Sequence, residues 1–247
     1  MPQEKTEAVV LRGVDFSETS RVVTFLSPGR GRMACLARGA RRKNSPLAAA
    51  LDTFNRVELV YYWKDGRGVQ NLGEVSVLDR FAGVKSDLAR GAYGAFPLEL
   101  TLRVAHENEP SAPLYAALVR GLAGLAAWPG EPRHHACWQV LRLLAAAGFA
   151  PELDRCGGCG GALTGRVGFS AADGARCGGC RGDFPLSVEA LSAMRALLGA
   201  AVACPEAGSA ASVEVFRALR RYAAYQLETD FRSLRVLDEV VGTTPGN

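Results

Sequence analysis

Two closely spaced cysteine pairs are the feature that most constrains how this chain can fold. Cys156 and Cys159 form one C-x-x-C motif, Cys177 and Cys180 form a second, and 17 residues separate the two motifs. This spacing is typical of a four-cysteine zinc site, in which each motif supplies two thiolates to a tetrahedral shell. Both motifs are filled with glycine, which lets the backbone wrap closely around a metal ion. The pattern therefore predicts one structural Zn²⁺ ion held by these four cysteines.

Other kinds of cysteine chemistry fit the pattern less well. A thioredoxin-like redox site has one C-x-x-C motif at the start of a helix that follows a strand. A disulfide framework needs an oxidising compartment, and the N-terminus has no apolar signal-peptide core. A catalytic zinc usually recruits histidine and keeps one position open. The three histidines, His106, His134 and His135, all lie away from the motifs in sequence.

Length and composition favour a soluble, cytoplasmic chain. The chain has 247 residues, 48% of which are hydrophobic, so it has room for two domains or for one large one. No apolar run approaches the roughly 18 residues that a membrane span needs. The remaining cysteines, Cys35, Cys137 and Cys204, lie in apolar contexts and are interpreted as buried, inert thiols.

Basic charge is concentrated near the N-terminus. Residues 1–80 carry 13 Lys and Arg against 9 Asp and Glu, whereas residues 81–247 carry 16 of each sign. Residues 21–43 contain no acidic residue at all. Such a focused charge indicates a polyanion such as nucleic acid, although an ordinary solvated loop is the alternative. The predicted DNA-binding residues are Arg21, Arg30, Arg32, Arg38, Arg41, Arg42 and Lys43.

Short strands separated by turns are predicted over residues 1–80, which we interpret as the first domain. Five or six such strands without helical stretches predict a small closed barrel, either an OB-fold or an SH3-like barrel. The predicted strands are Glu7–Arg12, Arg21–Leu26, Met33–Ala37, Arg56–Trp63, Val69–Leu72 and Glu74–Leu78. Aromatic side chains could stack on bases, but the barrel core is the better explanation for most of them. These are Phe25, Phe54, Tyr61, Tyr62 and Trp63.

Helical periodicity dominates residues 81–247, the predicted second domain. A zinc module over residues 152–186 interrupts the helices. Because a β-barrel domain precedes this helical domain, the predicted fold class is α+β and multi-domain. The first helix is expected to begin after a Ser86 cap and to be kinked or divided at Pro97. The predicted helices are Ser86–His106, Ser111–Trp128, Pro132–Ala147, Val188–Val202, Ser212–Glu228 and Asp230–Val241.

No catalytic motif is apparent in the sequence, so a binding protein is expected rather than an enzyme. There is no phosphate-binding loop, dinucleotide fingerprint, nucleophile elbow or H-E-x-x-H helix. By contrast, RGARRKNS (38–45) follows a predicted strand, which places several cations on a barrel rim. Arginine matches phosphate oxygens in a bidentate way, and Gly39 permits close approach of the backbone.

The order of several motifs resembles the RecO family of bacterial DNA repair and recombination mediators. The resemblance begins with EAVVL (7–11), ETSRVVT (18–24) and RGARRKNS (38–45). It resumes with LRLL (141–144) and GFAPEL (148–153), which lead into the first cysteine motif. It covers nearly the whole chain, although residues 81–130 and 200–247 match more in architecture than in motif.

The resemblance implies an N-terminal OB-fold and a helical domain that carries the zinc module. It also implies a non-enzymatic, cytoplasmic and nucleoid-associated protein that binds single- and double-stranded DNA and anneals complementary strands. With RecR, such proteins load RecA onto DNA coated by single-strand-binding protein, whose C-terminal tail some members bind through the helical domain. Arg217, Arg220 and Arg221 are candidates for that tail or for further DNA contact, unless they form only a solvated basic face. A zinc-ribbon protein that binds RNA or the transcription machinery is the alternative.

Overall fold

The computed structural model describes residues 2–206 and 208–242. Residue 1 of the first predicted domain (1–80) lies outside this range, as do residues 207 and 243–247 of the second (81–247). The five N-terminal strands are followed by helices and by a second small sheet, which confirms the predicted α+β architecture. The strands of the first sheet are β1 (Gln3–Asp15), β2 (Arg21–Ser27), β3 (Gly31–Ala37), β4 (Arg56–Tyr62) and β5 (Val69–Asp79).

The first sheet closes on itself as an OB-fold barrel. β1 pairs with β2, β2 with β3, and β4 with both β1 and β5, all in antiparallel register. A short parallel pairing between β3 and β5 completes the ring. Closure leaves no free sheet edge, so the barrel presents its faces and its loops to a ligand.

Strand β5 is continuous, whereas the sequence predicted two strands divided at Gly73. Val60 pairs with Glu74 and Tyr61 pairs with Leu72, which leaves Gly73 as an extra residue in the ladder. This arrangement is a β-bulge, and a strand can run through it without ending. A Cβ at position 73 would lie 3.2 Å from both the Tyr62 ring and the Val60 carbonyl oxygen, which explains the need for glycine there.

The barrel interior follows the predicted alternation along β4. Val57, Leu59 and Tyr61 are buried, and they pack with Phe25 of β2 in the barrel core. A short helix, α1 (Pro46–Ala50), and the following Leu51 lie at the bottom of this core. The loop that joins β3 to α1 carries the basic residues and is therefore held at one end of a rigid barrel.

The second part of the chain is a bundle of helices around one large hydrophobic core. Barrel residues Val9, Leu11 and Leu26 belong to this same core, so the two parts pack directly against each other. The Glu7 carboxylate also joins them, because it accepts hydrogen bonds from Arg56 at 2.6 Å and from Tyr115 at 3.1 Å. The helices are α2 (Ala82–Lys85), α3 (Leu88–Val104), α4 (Ala112–Ala127), α5 (Pro132–Ala146), α6 (Val188–Gly199), α7 (Ser212–Gln226) and α8 (Arg232–Val241).

Helix α3 differs from its prediction in two respects. Its cap is Asp87 rather than Ser86, and the Asp87 side chain accepts a hydrogen bond from the Arg90 N–H. The helix also continues through Pro97 without division. Tight packing accounts for this continuity, because Phe96 and Leu100 on either side of the proline are fully buried.

A small sheet lies between α5 and α6 and carries the cysteine motifs. Its strands are β6 (Val167–Ser170), β7 (Gly174–Cys177) and β8 (Phe184–Leu186), with β6 in the centre. Phe169 is fully buried and packs against Phe184 and Tyr222, so it anchors the sheet to α7. Across the described residues, no helix has the length and hydrophobicity that crossing a membrane requires.

Candidate nucleic-acid interface and metal centre

The segment over residues 38–45, here called the basic loop, is folded tightly against the β1–β2 loop. The Arg42 N–H donates to the Gly39 carbonyl at 3.1 Å, and the Arg41 N–H donates to the Thr19 carbonyl at 3.0 Å. Gly39 has a positive φ of 75°, a conformation that glycine adopts without steric cost. The loop therefore presents its cations from a defined backbone.

Three cations of the basic loop point into solvent. Arg38, Arg42 and Lys43 are exposed, and none makes an ion pair with another described residue. Arg41 and Arg21 are different, because both bind the Asp15 carboxylate, at 3.1 Å and 3.0 Å. The structure thus brings five of the seven predicted residues to one end of the barrel and leaves three of them free to meet an anion.

Arg30 and Arg32 lie at the opposite end of the barrel, around the β2–β3 turn. The Arg30 guanidinium pairs with Glu4 at 2.5 Å and lies 4.0 Å above the Trp63 ring. The hydrogen bond to Glu4 is the largest cause of the raised pKa of Arg30. Since the length of strand β3 lies between these arginines and the basic loop, the seven residues fall into two groups at opposite ends of the barrel. The sequence around these arginines showed no acidic residue because their partners come from distant parts of the chain, Glu4 from β1 and Glu107 from the segment after α3.

Most of the aromatic candidates are structural. Phe25 and Tyr61 are buried in the barrel core, and only 9% of Trp63 is accessible. Tyr62 is 40% exposed on the outer face of β4. The most accessible aromatic ring of the barrel is Phe16, at 68%, which sequence reasoning missed. It lies in the polar β1–β2 loop, outside any alternating pattern, so only its isolation among polar residues could have drawn attention to it.

The four cysteines of the two motifs come together at the edge of the small sheet. Their Sγ atoms all lie within 4.8 Å of one another, and the Cys159 and Cys177 sulfurs are 3.8 Å apart. Tetrahedral coordination with zinc–sulfur bonds of about 2.3 Å places neighbouring sulfurs roughly 3.8 Å apart. The donor set therefore fits a tetrahedral metal ion, and the four cysteines could hold one.

Hydrogen bonds within the motifs prepare the thiols for this role. The Cys177 N–H donates to the Cys156 sulfur at 3.3 Å and lowers the pKa of Cys156 to about 6. Hydrogen bonds between the Cys180 thiol and the other sulfurs, the most important being that with Cys159, raise the pKa of Cys180 to about 12. A metal ion would take the place of these hydrogen bonds, because it binds all four groups as thiolates. Gly158 allows the close packing, since a Cβ there would lie 3.2 Å from the Cys180 sulfur.

The remaining cysteines and the histidines are remote from this cluster. Burial raises the pKa of Cys35 to about 12, and it also raises the pKa of Cys137. Both residues are fully buried, which agrees with their interpretation as buried thiols, whereas Cys204 is only half-buried. His134 and His135 are buried as well, on α5, and burial lowers the pKa of His135 to about 4.

Comparison with known families accounts for both halves of the molecule. The family model described as "Recombination protein O N terminal" matches residues 1–81, and the model "Recombination protein O C terminal" matches residues 85–235. The chain belongs to the RecO family. Several curated relatives, all named DNA repair protein RecO, extend this assignment over almost the full length of the chain.

Three of these RecO relatives illustrate the range of similarity. The protein from Anaeromyxobacter sp. (strain Fw109-5) is 35% identical over 246 residues, which is 96% of each chain. The one from Streptomyces griseus is 33% identical over 244 residues, 95% of this chain and 98% of the relative. The one from Shouchella clausii is 30% identical over 169 residues, 68% of this chain and 65% of the relative. These names place the chain among DNA repair and recombination proteins.

The arginines of α7 have different surroundings in this RecO chain. Arg220 forms two 2.7 Å hydrogen bonds with the Asp238 carboxylate and so joins α7 to α8. The Arg221 guanidinium lies 4.8 Å above the Phe184 ring. Arg217 is exposed beside Val213 and Glu214 in a shallow pocket. Arg217 and Arg221 are both exposed, whereas Arg220 is half-buried and paired, so two of the three arginines keep the surface position that the sequence suggested.

Proposed function

We propose that this RecO family protein binds single- and double-stranded DNA through the basic loop and anneals complementary strands. The observation that carries the proposal is the exposure of Arg38, Arg42 and Lys43 without acidic partners among the described residues. Guanidinium and ammonium groups in this state meet phosphates without first breaking an ion pair. Phe16 in the neighbouring loop supplies an exposed ring on which a base can stack.

Annealing follows from contacts of this kind. Phosphate contacts hold a strand without reading its sequence, and they leave the base edges exposed for pairing. Cations between two strands also reduce the repulsion of their backbones. The protein therefore needs no catalytic group for this activity, which agrees with our proposal that it is not an enzyme.

The mediator role is the part of the proposal that rests most on the family. We infer that the protein acts with RecR to load RecA onto single-stranded DNA coated by single-strand-binding protein. In that role, the exposed Arg217 and Arg221 are the α7 residues that we assign to the acidic tail of the coating protein. Binding to DNA would also associate the protein with the nucleoid.

We further assign one Zn²⁺ ion to Cys156, Cys159, Cys177 and Cys180. When bound, zinc supplies four strong bonds that link the two motifs, and no position remains open for a water nucleophile. The four cysteines then hold the two motifs together at the edge of the small sheet, which itself packs into the large core through Phe169. The metal's role in this proposal is structural.

Strand annealing tests the proposal. Arg38, Arg42 and Lys43 are changed together to Glu, and the control changes Arg120, Arg155 and Arg166, three exposed arginines on α4 and near the zinc module, also to Glu. Both variants carry the same change in net charge. We expect the first variant to lose annealing by more than tenfold and the control to anneal at close to the wild-type rate. Equal annealing by the loop variant and wild type would refute the role of the loop. Parallel binding to RNA distinguishes the RNA-binding alternative.

A further inference from the structure

A second cluster of arginines lies where the barrel meets helix α3. Arg12, Arg32 and Arg103 line one cavity of about 260 Å³, together with a single carboxylate, Glu107. Three guanidinium groups against one carboxylate leave an excess of two positive charges in a confined space. Like charges repel strongly when they converge in this way, so the cavity favours an anionic ligand.

The partners of these arginines are too few to neutralise them. Arg12 is exposed and makes no ion pair within the part of the chain that the structure describes. Arg103 reaches Glu99 Oε1 only at 3.7 Å, and that oxygen also accepts a hydrogen bond from the Arg232 N–H at 3.3 Å, while Ser233 donates to Oε2 at 2.8 Å and 2.7 Å. Both side chains are therefore available to a ligand in the cavity.

Arg32 fixes one wall of the cavity. It donates to the Leu102 carbonyl at 2.8 Å and to the Glu107 carboxylate at 3.1 Å, and its Nε is buried without a partner among the described residues. Its backbone is held as well, since its N–H donates to His106 and its carbonyl accepts from Asn108, both at 3.0 Å. The cavity is thus formed before any ligand arrives, which reduces the ordering cost of binding.

The floor of the cavity is open because the residues between the arginines are small. Arg12 pairs with Thr24 across β1 and β2, and Thr24 pairs with Ala34 across β2 and β3. These three residues stand in one row on the outer face of the barrel, and both Thr24 and Ala34 line the cavity. A hydroxyl and a methyl group leave room for a phosphate group above them.

The same barrel face leads from the cavity to the basic loop. Strand β3 runs from Arg32 at the cavity to Arg38 at the loop, a distance of about 20 Å at roughly 3.3 Å per residue. The next outward row between them is apolar, with Val14 paired to Val22 and Val22 paired to Leu36. One strand of DNA carries a phosphate about every 3.4 Å in a duplex, so about six phosphates span this distance.

We propose that Arg12, Arg32 and Arg103 form a second phosphodiester-binding site, and that a nucleic-acid strand runs from the basic loop across β1, β2 and β3 to this junction. This inference rests on the proposed function, because it extends the DNA path that begins at the basic loop. The helical domain then contributes directly to DNA binding through Arg103. A strand long enough to reach both sites is bound more tightly than one that reaches only the loop.

The dependence of binding on oligonucleotide length distinguishes the junction site from the basic loop. Binding of oligo(dT) of about 4 and about 12 nucleotides, a range typical for one OB-fold, is measured by competition fluorescence. The test variant is R12Q/R103Q, which leaves the structural Arg32 in place, and the control is R120Q/R155Q. We expect R12Q/R103Q to bind the long strand about tenfold more weakly and the short strand as wild type does, with a salt slope lower by about 1.4 for the long strand. The control should match wild type at both lengths.

The other outcomes contradict the inference in distinguishable ways. If R12Q/R103Q binds both lengths like wild type while the basic-loop variant is impaired, the junction site is refuted and the proposed function stands. If the basic-loop variant also binds normally, the proposed function itself is refuted. Sodium phosphate is compared with sodium chloride at matched ionic strength. Phosphate could raise the melting temperature of wild type but not of R12Q/R103Q, while R12Q/R103Q binds both oligonucleotides with wild-type affinity. In that case the site binds free phosphate rather than DNA, and the strand path is refuted.

Discussion

Arg41 of the basic loop and Asp15 at the end of β1 form an ion pair, with 3.1 Å between Nε and Oδ2. Arg21 at the start of β2 binds the other oxygen of the same carboxylate, Oδ1, at 3.0 Å. One carboxylate therefore forms ion pairs with two of the five cations at this end of the barrel. It also ties the basic loop to the β1–β2 loop, which carries Phe16.

We predict that Asp15→Asn strengthens DNA binding. Loss of the carboxylate frees Arg21 and Arg41 to contact phosphates, so affinity for single-stranded DNA at low salt should rise about threefold. The slope of log affinity against log salt should steepen by up to about 1.4, or about 0.7 for each new phosphate contact. Fluorescence anisotropy at several salt concentrations measures both quantities.

The matched control for this prediction is Glu18→Gln in the same loop. Glu18 is exposed and makes no ion pair among the described residues, so its removal changes net charge equally without releasing an arginine. We expect a smaller gain in affinity and an unchanged slope. An Asp15→Asn variant that binds no better than Glu18→Gln would show that Arg21 and Arg41 stay away from DNA.

Arg30 and Arg38 should respond to substitution in opposite ways. Arg30→Gln removes both the Glu4 ion pair and the stacking on Trp63, so the free energy of unfolding should fall by about 1 kcal/mol. DNA affinity should remain close to wild type. Arg38→Gln should leave the free energy of unfolding within about 0.5 kcal/mol and weaken DNA binding. Urea unfolding and DNA titration of both variants measure these two quantities. An Arg30→Gln variant that is as stable as wild type but binds DNA more weakly would contradict the prediction.

Substitution of a motif cysteine should remove the metal. Cys156→Ala leaves three sulfur ligands, and we expect zinc content to fall from one ion per chain to far below one. The free energy of unfolding should decrease by roughly 3 kcal/mol or more. Metal analysis by mass spectrometry and thermal unfolding give the two readouts. Cys35→Ala, in the barrel core, should lose stability but keep its zinc. Loss of annealing by a fully folded Cys156→Ala variant would contradict a purely structural metal.

Acid should weaken the attachment of helix α8 through Glu99. Burial raises the pKa of Glu99, but hydrogen bonds from Ser233 and Arg232 outweigh burial and leave the pKa below its ordinary value of 4.5. A carboxyl whose pKa is lowered by folding contributes its full stability above pH 4.5, and this contribution is lost as pH falls through the folded value. Glu99→Gln should therefore cost about 1 kcal/mol at pH 7 and less at low pH.

The comparison that isolates Glu99 is the difference between wild type and Glu99→Gln at each pH. Glu4 and Glu7 also have lowered pKa values, caused first by hydrogen bonds from Arg30 and Arg56, so wild type alone does not identify the group. Urea unfolding from pH 3 to 7 gives the free energies. A difference that does not shrink below pH 4.5 would show that the Glu99 carboxylate is not the group responsible.

The sequence predicted the features that depend on local pattern. The alternation along β4 and the spacing of the two cysteine motifs each need only a few neighbouring residues. Gly73 misled the strand prediction because a bulge and a strand end both favour glycine. Pro97 misled the helix prediction because the surrounding core holds α3 together despite the missing hydrogen bond.

Features that depend on distant residues could not be predicted in this way. The basic stretch has no acid of its own, yet Glu4, Asp15 and Glu107 arrive from other elements and divide its arginines into free and paired sets. The junction cavity likewise joins Arg12 to Arg103, which are 91 positions apart in the chain. Only the closure of the barrel and its packing on α3 bring such residues together.

The salt dependence of single-stranded DNA binding tests the central claim, that the free cations of the basic loop hold DNA, most directly. The test variant is R38Q/R42Q/K43Q, and R120Q/R155Q/R166Q is the matched control. We predict that the loop variant binds at least tenfold more weakly and that its slope of log affinity against log salt is shallower by about 2, or about 0.7 for each lost phosphate contact. The control should keep the wild-type slope. A loop variant with the wild-type slope and affinity would contradict the claim.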